Sequence, residues 1–175
     1  MSNKKEIGLA IIGCGTIGRI RAMMAKDYPG ISWIGLCDIN EELGKKLLND
    51  CEADFFTTDY NDLVKRSEVN AVIIATDENH HFGPIMASLE NESSLFIEKP
   101  LATDLVESRD VLNKIKSTNV DAVLGYTQRF RRRFLAVKQK LMDQKIGHVT
   151  SVVTRAFMNS MVPIATVRRT NERKN

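Results

Sequence analysis

Three glycines near the N-terminus have the spacing of a nucleotide-binding turn. Gly13, Gly15 and Gly18 lie in the segment GCGTIG, directly after an apolar run and at the start of an amphipathic segment. In such a turn the first glycine allows a tight bend and the second lets a pyrophosphate approach the backbone. The third lets helix and strand pack closely. The helix start at Thr16 and Ile17 then offers free N–H groups to phosphate oxygens, which predicts a dinucleotide site.

An acidic residue follows the third glycine at the distance expected for ribose recognition. Asp38 lies 20 residues after Gly18, at the end of the second apolar run. A carboxylate there accepts hydrogen bonds from both hydroxyls of an adenosine ribose and repels a 2′-phosphate. Ile39, the next residue, is also predicted to contact the cofactor. No arginine directly follows Asp38 to bind a 2′-phosphate. The pattern favours NAD over NADP. There are two alternatives. One is a glycine turn and a surface Asp that bind no ligand, and the other is a site for a related nucleotide ligand such as S-adenosylmethionine.

A lysine closes the fifth apolar run of the chain. Lys99 lies between Glu98 and Pro100, and the proline biases the lysine backbone towards an extended conformation. An ammonium at the carboxyl end of a strand, beside a nicotinamide, could polarise a substrate oxygen or assist proton transfer during hydride movement. The alternative is an exposed lysine without a catalytic role.

Two adjacent histidines lie in the loop that begins at Thr76, after the fourth apolar run. Ligands bind beyond the carboxyl ends of the strands in a parallel sheet, so this loop is expected near the cofactor. The side chains of His80 and His81 diverge, and no third metal ligand has suitable spacing. Hydrogen bonding at a helix start, or a contact with the cofactor, is therefore favoured over a metal site.

Short apolar runs alternate with amphipathic segments through the first 125 residues. The runs predict strands buried on both faces and the intervening segments predict helices. The result is an α/β fold with a doubly wound parallel sheet, the Rossmann architecture. In the first helix, Ile17, Ile20 and Met24 are the apolar positions at helical spacing. Six strands are predicted, at residues 7–13, 32–37, 54–57, 70–76, 95–98 and 121–125.

The pattern and the charge both change after residue 125. Residues 1–125 carry 13 Lys and Arg against 20 Asp and Glu, whereas residues 126–175 carry 12 against 2. This predicts a dinucleotide-binding domain over 1–125 and the beginning of a second, α+β domain over 126–175, with a helix at 131–145 and a strand at 149–157. An isolated strand exposes its edge, so it is expected to pair with a second copy of the chain, to dock on the first domain or to be disordered.

An arginine-rich segment opens the predicted helix of the second part. Arg129 is followed by three arginines between Phe130 and Phe134. Arginines interleaved with aromatic residues fit a nucleic-acid surface, but a helix that buries its phenylalanines and solvates its arginines is favoured, so no nucleic-acid partner is expected. Arg129 follows the sixth strand, where it could face an anionic cofactor or substrate.

The composition excludes several classes of protein. Hydrophobic residues make up 43% of the chain and charged residues 27%, which is typical of a globular domain. No stretch reaches the ~18 apolar residues of a membrane helix, and no signal peptide is expected. Cys14, Cys37 and Cys51 form an odd set without CxxC spacing. They argue against a disulfide scaffold and a zinc site, and favour a reducing cytoplasm.

Together these motifs resemble the glucose–fructose oxidoreductase / inositol dehydrogenase / MocA family of NAD(P)-dependent oxidoreductases. The residues that carry the resemblance are GCGTIG at 13–18, CDIN at 37–40, AVIIAT at 71–76, His81, FIEKPLA at 96–102, GYTQRF at 125–130 and KIGHV at 145–149. The resemblance implies that Lys99 lies beside the nicotinamide and is catalytic. It also implies that Thr76, His81 and Glu98 line that side of the cofactor, and that substrates are sugars, polyols or related cyclic alcohols.

Two departures from the family pattern bear on function. Asp77 follows Thr76 where the family usually has proline. Family members are also much longer, and their second domain carries an Asp and a His for proton transfer that this chain lacks. The chain is therefore expected to be a truncated member, a homo-oligomer through its last strand. An oxidoreductase homologue is the first hypothesis, and a non-catalytic NAD-binding or redox-sensing module is the alternative.

Overall fold

A six-stranded parallel sheet forms the centre of the first of two compact units. The computed structural model describes residues 6–155 and Phe157. One unit ends at Gln128 and the other begins at Arg129. The strands are β1 (Ile7–Ile12), β2 (Ile31–Cys37), β3 (Phe55–Thr57), β4 (Ala71–Ile74), β5 (Ser94–Ile97) and β6 (Ala122–Leu124). Their order across the sheet is β3-β2-β1-β4-β5-β6, and every pairing is parallel.

Helices cover both faces of this sheet. Within residues 6–128 they are α1 (Thr16–Lys26), α2 (Glu41–Cys51), α3 (Tyr60–Val64), α4 (Phe82–Glu90) and α5 (Leu105–Ser117), with a short 3₁₀ turn at Glu78–His80 before α4. The helix α1 contacts α2, whereas α4 contacts both α3 and α5. The two groups pack against alternate side chains of β1, which point to opposite faces of the sheet, so the two groups lie on opposite faces.

The apolar run of β1 serves two cores at once. Leu9 and Ile11 pack with residues of α1 and α2 in one cluster. Ala10 and Ile12 pack in the other, with residues of α3, α4 and α5. All four side chains are buried, which is the reason a central parallel strand is apolar along its length rather than alternating. The predicted doubly wound parallel sheet is confirmed.

The order of the strands opens a crevice beside β1. This strand pairs with β2 on one side and with β4 on the other. The chain leaves β1 towards α1 on one face and leaves β4 towards α4 on the opposite face. The two connections diverge at the carboxyl ends of the strands, which is where open parallel sheets bind ligands.

The face that α1 presents to the sheet is not the one that carries its large apolar side chains. Its buried residues are Gly18, Ala22 and Ala25. Ile17, Ile20 and Met24, the apolar positions at helical spacing, are exposed. Small side chains allow the helix axis to approach the strands closely, so packing selected the small residues over the large ones.

The second unit contains one further helix, α6 (Arg132–Met142), among its described residues. Phe130 and Phe134, expected to be buried by this helix, are 60% and 43% exposed. A single amphipathic helix cannot bury its own apolar stripe without a second layer to pack on.

The expected strand at 149–157 is not formed at residues 149–155 or at Phe157, and Ala156 lies outside the described residues. A strand needs a neighbour to accept its backbone hydrogen bonds. Self-association through this segment and the domain boundary at residue 125 remain predictions. No helix of the described residues is long and apolar enough to cross a membrane.

Candidate functional site

The glycine turn, residues 13–18, is shaped at both ends by close backbone packing. Gly13 has a φ of +97°, in the left-handed region that favours glycine, and its N–H donates to the carbonyl oxygen of Cys37 at 2.8 Å. A Cβ on Gly13 would lie 2.6 Å from the backbone carbonyl of Ala75. A Cβ on Gly18 would overlap the carbonyl oxygen of Gly13. The fold itself therefore requires glycine at both positions.

The space beside Gly15 is open, whereas backbone atoms fill the space beside Gly13 and Gly18. A Cβ there would meet no atom within 4 Å from the rest of the described chain, apart from the adjacent residues, and its φ of −65° is accessible to any residue. Gly15 is the N-cap of α1, and no side chain of the described residues caps the first N–H groups of that helix. The helices α2, α3 and α5 are capped by the side chains of Asn40, Asp59 and Asp104. The start of α1 thus presents unpaired N–H donors beside an open space, as phosphate binding requires.

Asp38 connects the end of β2 to the glycine turn. Its Oδ2 accepts a hydrogen bond from the Cys14 N–H at 2.7 Å, and its Oδ1 accepts one from the Asn40 N–H at 2.8 Å. Each carboxylate oxygen can accept a second hydrogen bond, so ribose hydroxyls can still be bound. Ile39, beside it, is 91% exposed. The contact with Cys14 was not foreseen from the sequence, because spacing alone does not show which amide a carboxylate reaches.

The cysteine of the glycine turn is a packing residue. Cys14 is buried, and its Sγ donates to the carbonyl oxygen of Cys37 at 3.6 Å. Burial, with Asp38 as the next cause, raises the pKa of the Cys14 thiol to about 12. Burial likewise raises the pKa of Cys37 to about 12. Both thiols stay protonated near neutral pH and are poor nucleophiles or metal ligands.

The lysine turn, residues 98–101, follows β5 at the same edge of the sheet. Glu98 does not present a free carboxylate, because its Oε1 accepts hydrogen bonds from Nε of Arg21, at 3.0 Å, and from Nη2 of the same residue. The Lys99 side chain is exposed, and among the described residues its ammonium has no hydrogen-bond or ion-pair partner. The Lys99–Pro100 peptide bond is cis.

His81 is buried between two loops. It is 1% exposed, with Nδ1 2.8 Å from the carbonyl oxygen of Pro100 and Nε2 3.2 Å from that of Thr76. Its ring therefore joins the loop after β4 to the lysine turn. Among the described residues, no group of three or more His, Cys, Asp and Glu is placed to hold a metal ion.

Strand register brings most of the predicted site residues to one edge of the sheet. Ile12 is aligned with Cys37 and Ile74, and Ile74 with Ile97. The next residues along the chain include Gly13, Asp38 and Glu98, with Thr76 two residues beyond β4. Sequence reasoning missed Arg21, since an arginine in an amphipathic helix normally indicates a solvated face. Arg129 is exposed in the second unit, and its role in cofactor binding stays a prediction.

The sequence of this chain is similar to parts of longer, named enzymes. The chain is 25% identical, over 149 residues, to the myo-inositol 2-dehydrogenase of Thermotoga maritima, covering 84% of this chain and 45% of that protein. It is 27% identical, over 145 residues, to the 2,7-anhydro-N-acetylneuraminate hydratase of Mediterraneibacter gnavus, covering 83% of this chain and 38% of that protein. The chain spans less than half the length of these relatives.

The fold is also similar to that of solved structures. A crystal structure of scyllo-inositol dehydrogenase from Lactobacillus casei with bound NAD(H) and scyllo-inositol superposes with a TM-score of 0.78 at 24% identity. The superposition covers 83% of this chain and 44% of the Lactobacillus casei chain. The model of the GFO/IDH/MocA family, described as an oxidoreductase family with an NAD-binding Rossmann fold, matches residues 7–126. The chain belongs to this oxidoreductase family.

Proposed function

We propose that this chain is the cofactor-binding part of an NAD-dependent oxidoreductase that transfers hydride between NAD and a hydroxyl-bearing carbon of a sugar, polyol or cyclic alcohol. The observation that carries the proposal is the open position at Gly15. The fold requires Gly13 and Gly18, but within residues 6–155 no other part of the chain occupies the space beside Gly15. A pyrophosphate fits that space, because the unpaired N–H groups at the start of α1 face an anion.

The choice of NAD follows from Asp38. Its carboxylate lies at the end of β2 and keeps acceptor capacity beyond its two backbone contacts. Ribose hydroxyls can donate to those oxygens, whereas a 2′-phosphate would be repelled by them. The relatives whose names include inositol support a cyclic polyol as the class of substrate.

We assign the chemistry at the nicotinamide end of the proposed site to Lys99. Bound NAD supplies a nicotinamide ring that accepts or gives a hydride. The unpartnered ammonium of Lys99 can donate a hydrogen bond to the oxygen of the reacting carbon and hold or release the proton that this oxygen exchanges. Asp38, Gly15 and Lys99 follow one another along the sheet edge, after β2, β1 and β5. In this proposal they bind the ribose, bind the phosphates and serve the substrate oxygen, respectively.

Calorimetric titration with NAD and NADP tests the proposal on wild type and on Gly15→Ala. The added methyl group occupies the phosphate space, so NAD affinity should fall by about tenfold or more, a loss of about 1.4 kcal/mol. The free energy of unfolding should change by no more than about 1 kcal/mol, the cost of alanine at an N-cap. Lys45→Ala, on the surface of α2, is the matched control and should bind NAD like wild type.

Two results would contradict the proposal: wild type that binds neither dinucleotide, or Gly15→Ala that binds NAD as tightly as wild type. Spectrophotometric assay of NADH formation over a panel of polyols then separates an oxidoreductase from a non-catalytic NAD-binding module. Binding without turnover on any of them favours the module.

Net hydration is a second candidate, favoured by the relative named as a hydratase. A reaction of this kind adds water to the substrate without net formation of NADH. Mass spectrometry of the products distinguishes it from oxidation, because hydration adds one water whereas oxidation removes two hydrogens.

A further inference from the structure

The ammonium of Lys99 lacks a partner among the described residues, yet the peptide units on either side of it are held firmly. The Glu98 N–H donates to the carbonyl oxygen of Ile74 at 2.9 Å, which extends the ladder between β4 and β5 by one step. Beyond that step the lysine turn has to be fixed by side chains, because β5 has ended. Two such side chains reach it, from opposite faces of the sheet.

The first is Arg21, on α1. Its guanidinium contacts Oε1 of Glu98 through two nitrogens and lies 5.0 Å from the centre of the Phe96 ring. The arginine and glutamate side chains are 23% and 13% exposed. A planar guanidinium held by a carboxylate and an aromatic face has little freedom, so it fixes the direction of the Glu98 side chain.

The second is His81, immediately before α4. A neutral imidazole has one N–H donor, and the 2.8 Å contact from Nδ1 to the Pro100 carbonyl oxygen is the shorter of its two contacts. We assign the donor to Nδ1. The contact of Nε2 with the Thr76 carbonyl is a hydrogen bond only when the ring carries both protons. A separate link, from Thr103 Oγ1 to Asn79 Oδ1 at 3.2 Å, joins the same two loops.

We propose that Arg21 and His81 are positioning residues that aim the Lys99 ammonium by holding Glu98 before it and Pro100 after it. Neither side chain need touch cofactor or substrate to do so. This assigns His81, and Glu98 with it, a role in the shape of the lysine turn in place of the predicted contact with the cofactor. The inference rests on the proposed function, in which Lys99 serves the substrate oxygen.

The test is acetylation of individual lysines by acetic anhydride, read by mass spectrometry with and without saturating NAD. In wild type, bound NAD should protect Lys99. In His81→Leu and Arg21→Met, the protection should fall by about threefold or more, at the low end of coupling between contacting residues. NAD affinity should stay within about twofold of wild type, because the glycine turn and Asp38 are intact.

Two further variants separate positioning from general damage. His81→Asn places an amide N–H near the position of Nδ1–H and should restore the protection that His81→Leu loses. Lys26 lies on the same helix as Arg21 and forms a surface ion pair with Glu52. Lys26→Met removes that pair and should leave Lys99 protected. Protection retained in both His81→Leu and Arg21→Met overturns the inference.

Amide hydrogen exchange tests, without any ligand, whether Arg21 and His81 hold the lysine turn. The amide of Glu98, whose N–H donates to the carbonyl oxygen of Ile74, should exchange about tenfold faster or more in His81→Leu and Arg21→Met than in wild type, while the amides of the glycine turn keep their rates. Unchanged exchange at the lysine turn overturns the inference. Wild type that fails to bind NAD counts against the proposed function alone, and the exchange rates still decide whether the two side chains hold the turn.

Discussion

The glycine turn and the lysine turn lie at the same edge of one sheet but are held by different kinds of contact. In the glycine turn, backbone packs directly on backbone at Gly13 and Gly18. In the lysine turn, the side chains of Arg21 and His81 reach the chain from other elements. The first turn depends on the absence of side chains, and the second depends on their presence.

This difference shows which changes each turn tolerates. Close backbone packing does not depend on charge, but any added carbon atom disturbs it. Side-chain contacts tolerate small changes of volume, yet they depend on a charge or a donor that leaves a buried partner unsatisfied when it is removed. The glycine turn should therefore be sensitive to size and the lysine turn to chemistry.

The largest expected effect is that of Gly18→Ala. Alanine normally favours a helix over glycine, but here its Cβ would overlap the carbonyl oxygen of Gly13. The free energy of unfolding should fall by about 3 kcal/mol or more, as for severe overpacking. Urea denaturation measures it, with Gly15→Ala as the control at the open position. Equal stability of the two variants would remove the distinction between packed and open glycines.

Arg21→Met should have the next largest effect on stability. It leaves the mostly buried carboxylate of Glu98 without its cation, at a cost of about 2 kcal/mol. Lys26→Met breaks a more exposed pair, which is screened by solvent, and should cost much less. Denaturation midpoints of both variants, compared at low and high salt, check the prediction, and equal losses would place the Arg21 pair among ordinary surface pairs.

Asp38→Ala tests both kinds of contact, because the Asp38 side chain accepts a hydrogen bond from the backbone of the glycine turn. The N–H groups of Cys14 and Asn40 lose their acceptor, and stability should fall by about 1 kcal/mol. NAD affinity should fall and the preference for NAD over NADP should disappear, which calorimetry measures with both dinucleotides. Asp50→Ala, in a surface pair with Arg19, is the control. A variant that still prefers NAD would contradict the role of Asp38 in discrimination.

The effect that is smallest near neutral pH comes from two buried thiols. Burial raises the pKa of Cys14 and Cys37 from the ordinary 9.0 to about 12. The native state therefore keeps these protons above pH 9, where the unfolded chain loses them, so this contribution to stability is complete below pH 9 and is lost as pH rises through about 12. Thermal midpoints of wild type should fall more steeply above pH 9 than those of Cys14→Ala/Cys37→Ala. Equal slopes would show that the thiols are not protected.

Hydrophobic pattern predicted the fold because burial on two faces leaves a visible mark in the sequence. The run IGLAII has no polar position, and the ends of β1, β2, β4 and β5 follow within about two residues of those predicted. The buried face of α1 could not be identified from periodicity, for a physical reason. Periodicity identifies large apolar side chains, whereas close approach to a sheet selects small ones such as Ala22 and Ala25.

The site could be predicted only where one segment contains the whole signal. Gly13, Gly15 and Gly18 form such a signal, but the close packing at Gly13 depends on Ala75, more than fifty residues away. The pairing of Arg21 with Glu98 spans 77 residues and left no mark in spacing. The exposure of Phe130 and Phe134 likewise depends on what packs against α6, which periodicity does not specify.

The position of Arg21 on α1 has a consequence for communication along the site. Gly15 and Arg21 are six residues apart on one continuous helix, about 9 Å along its axis. A helix transmits displacement along its length with little deformation, so a shift caused by an anion at its first turn also moves the guanidinium that grips Glu98. We therefore expect an anion bound at the open end of α1 to change the position of the Arg21 guanidinium and, through it, the direction of the Lys99 side chain.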